Sequence, residues 1–155
     1  MLLGRHWNWQ IALFGAVVFG AGVIIGTAGS LHRQTMGDEV ETYRSPSSGT
    51  TIRLLLDERN LGSNEVEIGE ITFPPGANSG GHVHGSTEIF YVLSGELEHV
   101  VNGNSHLLKP GMIGFVRPPD SVNHIVHGNE PVRALVIWVP GGEAQRILSH
   151  WIREP

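Results

Sequence analysis

From Thr51 onward, apolar residues come in short runs separated by Gly, Pro, Asn, Asp or Ser: TIRLLL (51–56), VEIGEITF (66–73), EIFYVL (88–93), ELEHVV (96–101), HLLK (106–109), GMIGFV (111–116), NHIVH (123–127) and VRALVIWV (132–139). Runs of this length, several alternating apolar with polar, predict strands half-buried on one face, and eight of them at this spacing predict a β-sandwich or barrel. Asn102-Gly103 stands between two of the runs and suits the positive φ angles of a tight hairpin. Beyond Pro140 the period changes. Ala144, Ile147, Leu148, Trp151 and Ile152 fall on one helical face, which predicts a short C-terminal helix covering the barrel.

The N-terminal pattern is different. Gln10 to Ser30 carries no charged residue, and about twenty such residues in a helix cross a hydrocarbon core of about 30 Å. Trp7 and Trp9 stand at its start, where amphipathic rings favour the membrane interface. Two rows at four-residue spacing, Ala12-Ala16-Gly20 and Gly22-Gly26-Ser30, would let a second helix approach closely. The competing reading is a cleaved secretory signal, because Gly26-Thr27-Ala28 offers small residues for cleavage near Ala28. The short leading tail favours a cytoplasmic N-terminus, which places the barrel on the periplasmic or extracytoplasmic side. His32 to Thr50 is polar and holds Gly37, Pro46 and Gly49 among serines, as a tether would. The expected organisation is therefore an anchor over 1–31, a linker over 32–50 and a barrel with a C-terminal helix over 51–155.

Composition narrows the chemistry. In 155 residues there is room for one domain. The net charge of −5 becomes −6 without the first thirty residues, and the single lysine and scattered arginines form no stripe. That excludes the clustered cations nucleic acid requires. With no cysteine in the chain, disulfides and thiolate chemistry are absent and any metal must be held by nitrogen and oxygen.

Such ligands are present. His82 and His84 are two residues apart, so on an extended strand both imidazoles point to one side, and Glu88 comes four residues later. Imidazoles with one carboxylate suit a divalent first-row metal, and a further histidine would still leave open positions in an octahedral shell. His124 and His127 are the candidates. Three residues apart, they face opposite sides of a regular strand, and only one can enter the barrel.

These residues resemble the cupin superfamily. Its first motif runs Gly, five residues, His-x-His, three or four residues, Glu, six residues, Gly, and Gly76, His82, His84, Glu88 and Gly95 match every fixed position. The second motif is met less well: Pro119 and His124 keep its spacing, but Ser121 replaces a glycine, Gly128 replaces an asparagine, and Gly111 precedes Pro119 by two residues too many. A longer turn or a bulge would absorb them. The resemblance implies an all-β, jelly-roll-like barrel over about 51–142 and a metal held by His82, His84, Glu88 and His124, the ion being Fe, Mn, Ni, Cu or Zn. His6, His32, His99, His106 and His150 fall outside the motifs and are assigned no chemistry.

Three functions remain open. A metal with open positions suits an enzyme of dioxygenase or isomerase type acting on a small molecule. A barrel suits a small-ligand binding or sensing module. The small-residue rows favour the third and leading expectation, an accessory subunit of an integral-membrane assembly, such as a photosynthetic or respiratory complex, with membrane proteins as partners and any small-molecule ligand inside the barrel.

Overall fold

The computed structural model describes residues 40–155. The anchor, its small-residue rows, the alternative cleavage near Ala28, His6 and His32 all lie outside them. Among the described residues no helix is long and apolar enough to cross a membrane.

Eleven strands and two short helices run in the order β1 (Glu41–Arg44), β2 (Thr51–Leu56), α1 (Glu58–Leu61), β3 (Glu67–Phe73), β4 (His82–Val83), β5 (Thr87–Ser94), β6 (Leu97–Val101), β7 (Asn104–Leu108), β8 (Ile113–Val116), β9 (Ser121–Val126), β10 (Val132–Val139), α2 (Glu143–Leu148) and β11 (Ile152–Arg153). They form a seven-stranded sheet, β11-β1-β2-β3-β10-β5-β8, and a four-stranded sheet, β4-β9-β6-β7. Alternation decides what lies between the sheets. In β3 every second residue is buried, and in β10 Val132, Ala134, Val136 and Trp138 point inward. Phe73, Phe90, Val92 and Leu97 complete the same apolar core, which is the main stabilising contribution in a fold of this size.

All eight predicted runs contain strands, and Asn102 and Gly103 both take positive φ (49° and 81°) in the β6–β7 hairpin. The ends differ from expectation. Strand β1 lies inside the stretch read as a tether, paired with β2 on one side and β11 on the other, so part of that linker belongs to the sheet. The tail helix stops at Leu148. Ile152, expected on its apolar face, pairs instead with Arg44, and Arg153 pairs with Tyr43; sheet hydrogen bonds at a free strand edge outweigh the weak propensity of a short, marginal helix. Between Gly111 and Pro119 the chain runs through β8 into a turn at 117–120, where the Asp120 N–H donates to the Arg117 carbonyl (2.8 Å).

Candidate metal centre

His82 and His84 flank the outward-facing Val83, and the parity of that extended stretch turns both rings toward the interior. Glu88 comes from β5 and His124 from β9, on the two sheets that close over this end of the barrel. His84, Glu88 and His124 are buried, and His82 is half-buried. His127 lies on the outer face, bonded to Glu98. The parity argument thus places the histidines as the strand requires, with His124 inside.

Hydrogen-bond partners settle which atoms these rings offer. His82 Nδ1 is 2.8 Å from the Gly80 carbonyl, and His84 Nδ1 is 2.9 Å from Glu143 Oε1. Each Nδ1 faces an acceptor and must therefore donate, so in the neutral tautomer each Nε2 is a bare lone pair. Those two Nε2 atoms face one another at 3.1 Å. Glu88 Oε2 lies 3.1 Å from His84 Nε2 and 3.6 Å from His124 Nε2. Neither Glu88 Oε2 nor His124 Nε2 has a hydrogen-bond partner, although both are buried. The other Glu88 oxygen accepts from Trp138 Nε1 (3.0 Å), which fixes the orientation of the carboxylate.

Among the described residues no group of three or more His, Cys, Asp and Glu side chains is arranged to hold a metal ion as they stand; His84 contacts His82 and Glu88, and Glu88 also lies near His124. Acceptors converging without a donor repel, and burying them unsatisfied costs free energy. A cation relieves both. With metal–ligand distances of about 2.0–2.2 Å, neighbouring donors around one ion stand roughly 3 Å apart, close to the separations found here. The residues fit a divalent ion held by nitrogen and oxygen.

The electrostatics agree. Burial pushes His124 down to about 3 against the pull of Glu88, keeping it neutral, the form that binds metal. Glu88 is held below the usual carboxylate range: burial opposes ionisation, but the contact and charge of His84 and the Trp138 hydrogen bond outweigh it. His84 is raised: burial opposes its charge, but the nearness of the Glu88 and Glu143 carboxylates outweighs that. In the metal-free protein a proton on His84 can occupy the place of the cation.

Two neighbours escaped the sequence reading. Glu143 opens α2 and is buried; besides His84 it accepts from the Gly85 N–H (3.0 Å) and pairs with Arg146. A Cβ on residue 85 would stand 3.1 Å from Glu143 Oε2, so glycine is what lets the carboxylate approach. Glu67, also buried, accepts from the Ala144 N–H (2.8 Å) at the N-terminus of α2, where Gly142 supplies no side-chain cap. Nothing in the sequence signals Glu143, which lies 59 residues from its partner. His99 is the second. Assigned no chemistry because it falls outside the motifs, it is buried on β6, directly across from His124 on β9, with ring centroids 5.2 Å apart. Its Nε2 is 3.2 Å from the Phe115 carbonyl and its Nδ1 has no partner. Alternation from buried Leu97 would have turned it inward.

Carboxylates that orient a ligating histidine are commonly worth 10–100-fold in metal affinity. Glu143→Ala is therefore expected to weaken metal binding by about that factor while leaving the far-ultraviolet circular dichroism unchanged; titration of the metal-stripped variant checks it.

The four groups form one end of a cavity of about 290 Å³. Phe73, Ile71 and Trp151 contribute apolar lining, and Ser45, Ser47, Ser48 and Thr50, from the turn between β1 and β2, contribute hydroxyl-bearing residues.

Two facing antiparallel sheets, with His-x-His, Glu and a later His converging at one end, define a cupin-type barrel. Known proteins agree: residues 69–138 match the family model described as Cupin domain, and the chain carries a domain of that family. Comparison with curated proteins gives no match. Solved structures share the fold. An RmlC-like cupin from Shewanella frigidimarina is 21% identical with a TM-score of 0.58, covering 72% of this chain and 93% of its own. A predicted oxalate decarboxylase from Thermotoga maritima is 23% identical with a TM-score of 0.56, covering 68% and 96%. An uncharacterized conserved protein with a double-stranded β-helix domain from Klebsiella pneumoniae is 27% identical with a TM-score of 0.54, covering 65% and 86%.

Proposed function

We propose that the barrel holds one divalent first-row metal ion on His82, His84, Glu88 and His124, and that it binds or transforms a small oxygen-bearing molecule in the adjoining cavity. The observation that carries this reading is that His84 Nε2 stands 3.1 Å from both His82 Nε2 and Glu88 Oε2, while buried Glu88 Oε2 and His124 Nε2 have no hydrogen-bond partner. A metal bound there supplies Lewis-acid activation of an oxygen ligand. The chain's own residues do the rest: Glu143 and the Gly80 carbonyl hold the two imidazoles in the tautomer that presents Nε2, Trp138 orients Glu88, and the apolar wall limits water around the site.

The cavity favours a small-molecule role over that of a passive cover. The accessory-subunit reading rests on residues 10–30 and enters here as the domain's location, on the extracytoplasmic side of a membrane among integral-membrane proteins. It gives the barrel no chemistry of its own.

The test is a metal titration across pH. A ligating imidazole must be neutral, so metal competes with the proton on His84, whose pKa is raised. Affinity is expected to rise as pH climbs through and above the ordinary histidine range and to fall on acidification, with a proton released on binding. His124 remains neutral down to about 3 and does not contribute to the loss. Calorimetry in buffers of different ionisation enthalpy measures both terms. An affinity that stays constant from mildly acidic to mildly alkaline pH would contradict the proposed ligand set.

A further inference from the structure

An imidazole that ligates a metal through Nε2 keeps its proton on Nδ1, and in a buried site that N–H needs an acceptor. His82 finds one in the Gly80 carbonyl and His84 in Glu143. His124 has neither a carbonyl nor a carboxylate behind it. Its backbone N–H donates to Ser79 Oγ (2.9 Å), and among the described residues its ring makes no hydrogen bond. Phe73 and Phe90 pack against the ring and offer it no acceptor.

One bare acceptor is within reach. His99 stands directly opposite His124 in the β6–β9 register, and side chains so placed on neighbouring antiparallel strands share a face. The ring centroids are 5.2 Å apart, close enough for an N–H of one ring to reach a nitrogen of the other. The Phe115 carbonyl, 3.2 Å from His99 Nε2, can only accept. In the neutral ring Nε2 therefore carries the proton and Nδ1 is a lone pair. That Nδ1 is buried and has no partner. The Cδ2–Nε2 edge of the ring lies against β8, where a Cβ on residue 114 would stand 3.2 Å from His99 Cδ2, so the Nδ1 edge is turned away from that strand.

We infer that His99 is a positioning residue for His124: when His124 Nε2 holds the metal, its Nδ1–H donates to His99 Nδ1. One hydrogen bond then satisfies two buried groups that would otherwise stand unpaired at a cost in free energy. It gives the third imidazole the support that the Gly80 carbonyl and Glu143 give the other two. His99 acts only through His124, and the Phe115 carbonyl fixes the tautomer that makes it an acceptor. The inference rests on the proposed metal centre and adds a residue that neither motif contains.

The test uses full-length protein in detergent, stripped of metal and titrated with zinc against a chromophoric chelator. His99→Phe keeps the packing and has no acceptor; it is expected to lower zinc affinity by about 10–100-fold, the range for losing the group behind a ligating histidine. His99→Asn gives up the Phe115 bond but sets Oδ1 near the place of Nδ1, and it should bind within about threefold of the unaltered chain, since the acceptor is kept. A role in packing alone would reverse that order. In the unaltered, zinc-loaded protein, long-range proton–nitrogen magnetic resonance of isotope-labelled histidine should show His124 protonated on Nδ1, with scalar coupling across the hydrogen bond to His99 Nδ1. Zinc held as tightly by His99→Phe as by the unaltered chain, or as weakly by His99→Asn as by His99→Phe, overturns the inference. So does a His124 Nδ1 proton coupled to no second nitrogen. An unaltered chain that binds no zinc overturns the metal reading itself, and the inference with it.

Discussion

His124→Ala is expected to abolish metal retention, and His127→Ala is expected to leave it nearly intact. The two residues stand three positions apart, yet one ring is buried with an unpartnered Nε2 and the other bonds Glu98 at the surface. Losing His124 removes a donor and leaves a void beside Phe73 and Phe90, whose rings lie 5.6 and 4.6 Å from its own. A metal with one fewer imidazole binds orders of magnitude more weakly, and exchange dialysis should strip it. His127→Ala breaks only an exposed pair, worth roughly 0–1 kcal/mol. Metal content after dialysis, measured by plasma mass spectrometry on both variants, checks the contrast; equal loss in both would mean that the ion sits elsewhere.

The second large effect is on stability. Trp138 is 1% exposed near the C-terminal end of β10 and donates to Glu88. Trp138→Ala is expected to destabilise the domain by about 3–5 kcal/mol, the range for deleting a large buried aromatic. Trp138→Phe keeps most of the volume and removes the donor, leaving Glu88 Oε1 unsatisfied at a cost of about 1–3 kcal/mol. Saturating metal should recover part of the loss in Trp138→Phe, because it binds only the folded state. Urea unfolding monitored by tryptophan fluorescence, with and without metal, measures all three terms. Unfolding midpoints of Trp138→Ala equal to those of the unaltered chain would contradict the packing account.

The central strands were legible because their apolar runs are bounded by turn residues. VRALVIWV matches β10 end to end, and TIRLLL matches β2. Short polar strands were not. Glu41–Arg44 has no alternating apolar signal; it is a strand because β2 and β11 flank it. Spacing draws Ile152 into a helix, but its pairing with β1 depends on contacts more than a hundred residues away in sequence. Asp57, Asn60 and Gly62 make a capping box and a left-handed stop around α1, local signals that were present and passed over. At the candidate centre, strand parity alone brings His82 and His84 to one side and separates His124 from His127. The inward turn of His99 obeys the same parity. Glu143 has no such rule, because the approach of α2 to Gly85 is a product of tertiary packing.

The central claim is that three imidazoles and one carboxylate share a single ion. X-ray absorption at the metal edge, on full-length protein carrying one equivalent of zinc, tests it most directly. The account predicts nitrogen and oxygen neighbours at about 2.0–2.2 Å, with multiple scattering from imidazole rings that is lost in His124→Ala, which does not retain the ion. A zinc site whose spectrum lacks imidazole scattering, or is unchanged by His124→Ala, would contradict it.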